Sequence, residues 1–194
     1  VNNALQGGVL QQNGGSSIFD NKSDIYISGD SYIKGGNTAI LNGSILHLGS
    51  NVTMNTDNLL MDGNSYLNVM NNTIDTNNIG NMDVIGKNNV SIDIAPRAKV
   101  GDTFIIDNLN GQGTLNINDF NFVGLAPIDR RIKLQVFDAQ NINDVEFTAT
   151  DKKIFTPIGN YKLVSEGAGA YSAVLSGYNP QVFRGQVATL AAYN

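Results

Sequence analysis

The sequence predicts an all-β chain, a parallel β-helix whose C-terminal end is closed by a β-hairpin. Three observations carry this. Apolar residues alternate with polar ones in runs of about three to five, the length and period of short strands. Those runs recur at a near-constant step, separated by Asn-Gly, Gly-Asn or Asn-Asn, which tolerate the left-handed angles of tight turns. Late in the chain the rhythm gives way to "GNYKLVSEGAGAYSAVLSGYNP", Gly159 to Pro180, two alternating strands around a glycine-rich turn.

The recurring unit is two apolar residues separated by one other: Ile25-Tyr26-Ile27, Leu46-His47-Leu48, Leu67-Asn68-Val69, Val90-Ser91-Ile92 and Leu115-Asn116-Ile117. Counted from first members, the steps are 21, 21, 23 and 25 residues, inside the range of about 20 to 50 that marks repeat architectures. One unit cannot bury its apolar face, whereas stacked coils align the inward residues into a continuous core. A rung of about 20 to 25 residues fits three short strands and three turns. Further strands are expected at Ser31-Tyr32-Ile33, Val52-Thr53-Met54, Leu59-Leu60-Met61 and Met82-Asp83-Val84-Ile85. Asn at equivalent turns of successive coils is expected to form stacked amide hydrogen bonds.

After about Ala95 the strands lengthen, with Thr103 to Ile106 and Ile132 to Phe137 among them. The chain therefore divides into regular coils over 1–95, a C-terminal capping module over 96–178, and a linker over 179–194, where "QVATLAAY" reads as a helix start. In the hairpin, Tyr161, Leu163, Tyr171, Ala173 and Leu175 supply an apolar face, and Gly167 to Gly169 permit the turn.

Composition narrows the function classes. A net charge of -5, with Lys and Arg scattered apart from the pairs Arg130-Arg131 and Lys152-Lys153, which read as solvated faces or strand-edge charges, argues against nucleic acid as the partner. Without Cys there is no disulfide frame, thiolate zinc site or Cys nucleophile, and a single His cannot build a two-His metal motif. Absence of Cys suits a cytosolic chain and equally a bacterial chain exported through an oxidising periplasm. No apolar run reaches the about 20 residues of a membrane span, and Val1-Asn2-Asn3 lacks the form of a signal peptide, as expected of a fragment or processed product.

Candidate chemistry is sparse. His47, between Leu46 and Leu48, is expected to point outward into solvent. Asp62, Asp75, Asp83, Asp93 and Asp102 occur singly; Asp62 and Asp83 stand one repeat step apart, the spacing that brings two carboxylates of a glycosidase together on neighbouring coils. Turn and surface roles account for these acids as well. The calcium nonapeptide, the EF-hand loop and the P-loop are missing, and Gly111-Gln112-Gly113 lacks the third glycine of a dinucleotide fingerprint. The sequons at Asn42, Asn51, Asn71 and Asn89 follow from the abundance of Asn.

The hairpin carries a family resemblance. The strand Gly159-Asn160-Tyr161-Lys162-Leu163, the Glu166-Gly167 turn, the returning strand Tyr171 to Leu175 and the exit Tyr178-Asn179-Pro180, preceded by "VGDTFIIDNLNGQGTLNI", resemble the C-terminal passenger region of a Gram-negative type V autotransporter of the pertactin and diffuse-adherence-adhesin kind. The resemblance covers about half the chain; Trp, frequent in the returning strand of such caps, is replaced here by Tyr171. It implies a right-handed, single-stranded β-helix with an autochaperone cap, placed before an outer-membrane β-barrel. It also implies display on the bacterial surface or secretion after cleavage, no catalytic residue, cofactor or metal, and a cap that folds first and templates the coils. The residues given that folding role are Gly159, Tyr161, Leu163, Gly167, Gly169, Tyr171, Leu175, Tyr178 and Pro180. The expected partners are the chain's own barrel and a host receptor or glycan, or a second copy. A β-helical polysaccharide-degrading enzyme and a glycan-binding or self-associating module stand as alternatives.

Overall fold

A computed structural model describes residues 9–125 and 129–178. The first coil holds β1 (Gln11–Asn13), β2 (Ser16–Phe19) and β3 (Asp24–Ile27), and the second β4 (Tyr32–Lys34), β5 (Asn37–Leu41) and β6 (Ile45–Leu48). In the third, β7 (Met54–Asp62) runs unbroken through a corner before β8 (Tyr66–Asn68). A single bent strand, β9 (Thr76–Ala95), makes the fourth and turns back briefly as β10 (Val100–Gly101); β11 (Thr103–Phe122) makes the fifth. Then follow β12 (Arg131–Gln135), β13 (Phe137–Ile142), β14 (Val145–Ala149), β15 (Lys153–Phe155), β16 (Gly159–Gly167) and β17 (Ala170–Tyr178).

The parallel pairings build a β-solenoid of about five turns, from β1 to the pair β13 and β14 laid on β11. Alternation dictates its interior. Ile33, Met54, Asn77, Phe104 and Phe137 stack in one column, with Asn77 its one polar rung, Leu59, Met82 and Leu109 in a second, and Leu46, Leu67, Val90 and Ile117 in a third, all buried. Parallel stacking continues past position 95 to Ala149. A separate antiparallel sheet, ordered β12-β17-β16-β15, covers the C-terminal end.

The corners explain the Asn content. Asn37 donates to Ser16, Asn58 to Asn37 (2.8 Å), Asn81 to Asn58 (3.1 Å), Asn108 to Asn81 (3.0 Å) and Asn141 to Asn108 (2.9 Å), a ladder on the outside of one corner. Each amide donates to the coil below and accepts from the coil above, so a single residue type satisfies itself indefinitely. Inside the corner Thr38 and Thr56 share a hydroxyl contact of 3.2 Å. Asn64, Asn89 and Asn116 form a second ladder, ended by Thr148 and Thr150.

Along the first ladder the rungs are 21, 21, 23, 27 and 33 residues apart. The fourth step differs from the 25 read from the repeat, because Ile117, two residues beyond Leu115, stacks on Val90. The excursion between β9 and β10, turning at Pro96 to Lys99, takes up residues outside the stack.

Candidate functional site: the capped end of the solenoid

The hairpin of β16 and β17 forms as its sequence indicates. Gly167 pairs with Ala170, leaving a two-residue turn of Ala168 (φ 49°) and Gly169 (φ 79°), both left-handed, the type I′ geometry that matches strand twist. Tyr161, Leu163, Tyr171 and Ala173 face inward and are buried, and Leu175 is half-buried. Gly159 is buried under the backbone of Gly177; Gly167 is exposed at the turn. The Tyr178 backbone pairs with Gly159. Pro180, the 179–194 linker and its "QVATLAAY" segment lie outside the described residues.

The inner face joins the solenoid through aromatic rings. Phe104 of the fifth coil stacks on Phe137 at 5.4 Å, Phe137 meets Phe147 at 5.4 Å, and the Tyr171 ring lies 6.4 Å from Phe137. A second thread runs from Phe120 through Phe122 to Tyr161, with centroids 5.8 and 5.5 Å apart. Each tyrosine also anchors a hydroxyl: Tyr171 donates to the Thr148 carbonyl at 3.2 Å and Tyr161 to the Asp129 carbonyl at 3.3 Å. Burial pushes the Tyr171 phenol well above its ordinary range, so it remains a donor at any physiological pH.

The turn is tied down at its tip. The Gly169 carbonyl accepts from both Val136 and Phe137 N–H, each at 3.1 Å, where the chain crosses from β12 into β13. Gln135 Nε2 donates to the carbonyls of Phe137 (2.7 Å) and Ala168 (3.1 Å). A Cβ at Gly169 would stand 2.2 Å from the Phe137 carbonyl oxygen, so glycine is required by both contact and angle. β13 and β14 pair on one side only, with β11, and the cap supplies partners for part of the other side. This arrangement can terminate a sheet edge and fix the register of the last coil.

The other candidates are placed as follows. Asp62 and Asp83 lie on neighbouring strands but are not direct partners: Asp83 pairs with Leu60, and Asp62 with Ile85. Asp75, Asp93 and Asp102 do converge, at the corner of the fourth coil. Asp102, fully buried, accepts Asp75 N–H (2.8 Å) and Asp93 N–H (2.7 Å). Asp93 accepts Asn71 and Asn72 N–H and the Asn121 amide at 2.7, 2.8 and 2.8 Å. Burial pushes the Asp102 carboxyl up to about 7 against the opposing pull of its two N–H donors. These acids act as corner glue for backbone donors, and no trio of His, Cys, Asp or Glu among the described residues is placed to hold a metal ion.

His47 lies on the outer face, as alternation requires, yet only 13% of its side chain is exposed. Its Nε2 meets Asp24 at 2.7 Å, Asn68 Nδ2 meets its Nδ1 at 2.8 Å, and Tyr26 stacks on the ring at 3.7 Å. The Asn68 carbonyl oxygen is held by Met70 N–H, so the amide nitrogen faces Nδ1 and the imidazole donates from Nε2. Both ring nitrogens are engaged, making His47 a rung of an outer polar stack. Alternation gives the direction of a side chain and nothing of its neighbours one coil away, so this cluster was not readable from sequence.

The chain matches no family model and no curated protein.

Proposed function

We propose that this chain is a non-enzymatic stalk and folding-nucleus segment of a bacterial autotransporter passenger, displayed on the cell surface or secreted, with the cap promoting folding as the passenger leaves the outer membrane. The observation that carries the reading is the join between cap and last coil: Tyr171 and Tyr161 extend the two aromatic threads of the solenoid into a local hairpin. A hairpin with near-neighbour contacts forms early and offers a templating edge, onto which parallel coils with distant pairings add. The partner in export is the chain's own outer-membrane β-barrel.

The test is display. With the chain joined to such a barrel in a Gram-negative cell, deleting 159–178 should leave the barrel inserted and the coils degraded by external protease. Coils that remain protease-resistant and displayed at the undeleted level would overturn the proposal.

A further inference from the structure

We propose that the outer face of the cap sheet is a docking surface for an anionic lipid surface, one bearing phosphate headgroups. The inference uses only the charge and register of the cap and stands apart from the export reading. Strand alternation sends Ile132, Leu134, Tyr161, Leu163, Tyr171 and Ala173 inward. The opposite face therefore receives Arg131, Lys133, Lys153 and Lys162, together with Phe155 and Val164.

Register gathers these cations. Lys153 stands directly opposite Lys162, Lys162 opposite Val174, and Val174 opposite Arg131, a row crossing all four strands. Lys133 faces Ser172, which faces Val164. Like charges directly opposite one another cost a sheet stability, so folding alone does not favour the Lys153 and Lys162 pair. Glu166, at the hairpin end, is the carboxylate bound on this face, held by Arg131. Among the described residues Lys153 and Lys162 form no ion pair, whereas Lys133, with the Ser172 hydroxyl and Arg131, helps hold the Glu166 carboxyl below its ordinary range; Lys152 is engaged by Asp119 and Lys99 by Asp129.

Beside the lysines Phe155 is 75% exposed, the most exposed large apolar side chain among the described residues, and Val164 is 38% exposed. A basic face carrying an uncovered aromatic is the chemistry of a membrane-surface contact: lysines meet phosphates and the ring enters the headgroup boundary. A soluble acidic polymer uses the lysines and leaves the ring without a role. A small anion is disfavoured, because the cations spread over four strands, each about 4.8 Å from the next, and do not converge. The net charge of -5 does not forbid the contact. The acids of the first coil, Asp20, Asp24 and Asp30, lie several rungs of about 4.8 Å away, beyond the Debye length of about 8 Å in physiological salt.

The test is flotation of the 194-residue chain with phosphatidylcholine vesicles, neutral or containing phosphatidylglycerol, in physiological salt. The chain is expected to float with the anionic vesicles, not with the neutral ones, and to be released by high salt. Lys153→Gln with Lys162→Gln should lower the partition coefficient about 25-fold, roughly fivefold for each charge. Phe155→Ser should lower it with the charges intact, and the melting temperatures of these variants should not fall. Equal flotation with neutral vesicles, no flotation with anionic ones, or an undiminished double variant would overturn the proposal. So would equally tight binding to a soluble anionic polysaccharide with no preference for lipid.

Discussion

Among single residues, a few positions are decided by one atom. Gly169 and Gly167 make a controlled pair, with φ of 79° and 82°. A Cβ at Gly167 meets nothing within 4 Å, whereas one at Gly169 collides with the Phe137 carbonyl. Gly167→Ala should cost about 1 kcal/mol, the left-handed penalty alone. Gly169→Ala should cost at least about 2 kcal/mol more, because an overpacked contact adds to the angle; thermal melts of the two compare them directly. Asp102 gives a pH signature. Its folded-state pKa of about 7 lies above the ordinary 3.8, so the native state retains a proton that the unfolded chain gives up between these values. Stability from this group is therefore complete below about pH 4 and falls as pH rises toward about 7, by up to about 4 kcal/mol. Asp102→Asn loses one of two N–H acceptances and should be less stable than the parent near pH 4, but its stability should change less steeply over that range, so the gap narrows as pH rises. Identical slopes in urea titrations would show that Asp102 does not set the pH dependence.

At the scale of elements, the coils were legible because period-two alternation and Asn-Gly punctuation are local signals. The first three strand triplets fall where Ile25, Leu46 and Leu67 place them, and amide stacking follows from the recurrence of Asn. What local reading missed has a physical reason. Corners that keep extended angles merge two expected strands into one, as in β7, β9 and β11, and the excursion at Pro96 to Lys99 shifts the fifth rung by two residues. The convergence of Asp75, Asp93 and Asp102 and the enclosure of His47 depend on rung length, which only the stacked register reveals. The ladder makes its own prediction. Asn58→Ala removes two exposed amide bonds and should cost about 1 to 2 kcal/mol. Asn88→Ala should cost about 3 kcal/mol or more, because Asn88 is buried, accepts Ser65 N–H and donates to the Met61 and Ile85 carbonyls, which its loss would orphan. Urea midpoints measure both. Asn58 and Asn81, which share a bond, should be less than additive, and Asn37 and Asn108 additive.

At the scale of the whole molecule, a solenoid is quasi-one-dimensional: each coil contacts its neighbours, and an end without a cap leaves a core layer and a sheet edge open. The cap answers both needs, with Tyr171 and Tyr161 completing the apolar threads and Gly169 accepting from the last coil's N–H groups. The hairpin itself was legible in Gly159 to Leu175. Its attachment to Phe137 and Phe122 was not, because those contacts join elements that alternation treats separately. In the proposed folding order the cap nucleates and the coils follow. Refolding and unfolding rates of Leu163→Ala in the cap and Leu46→Ala in the second coil decide it, both being buried leucines whose loss costs about 2 to 5 kcal/mol. Leu163→Ala should slow folding, with a φ-value of about 0.7, while Leu46→Ala should leave folding nearly unchanged and speed unfolding. Slower folding for Leu46→Ala with an unchanged folding rate for Leu163→Ala would contradict it.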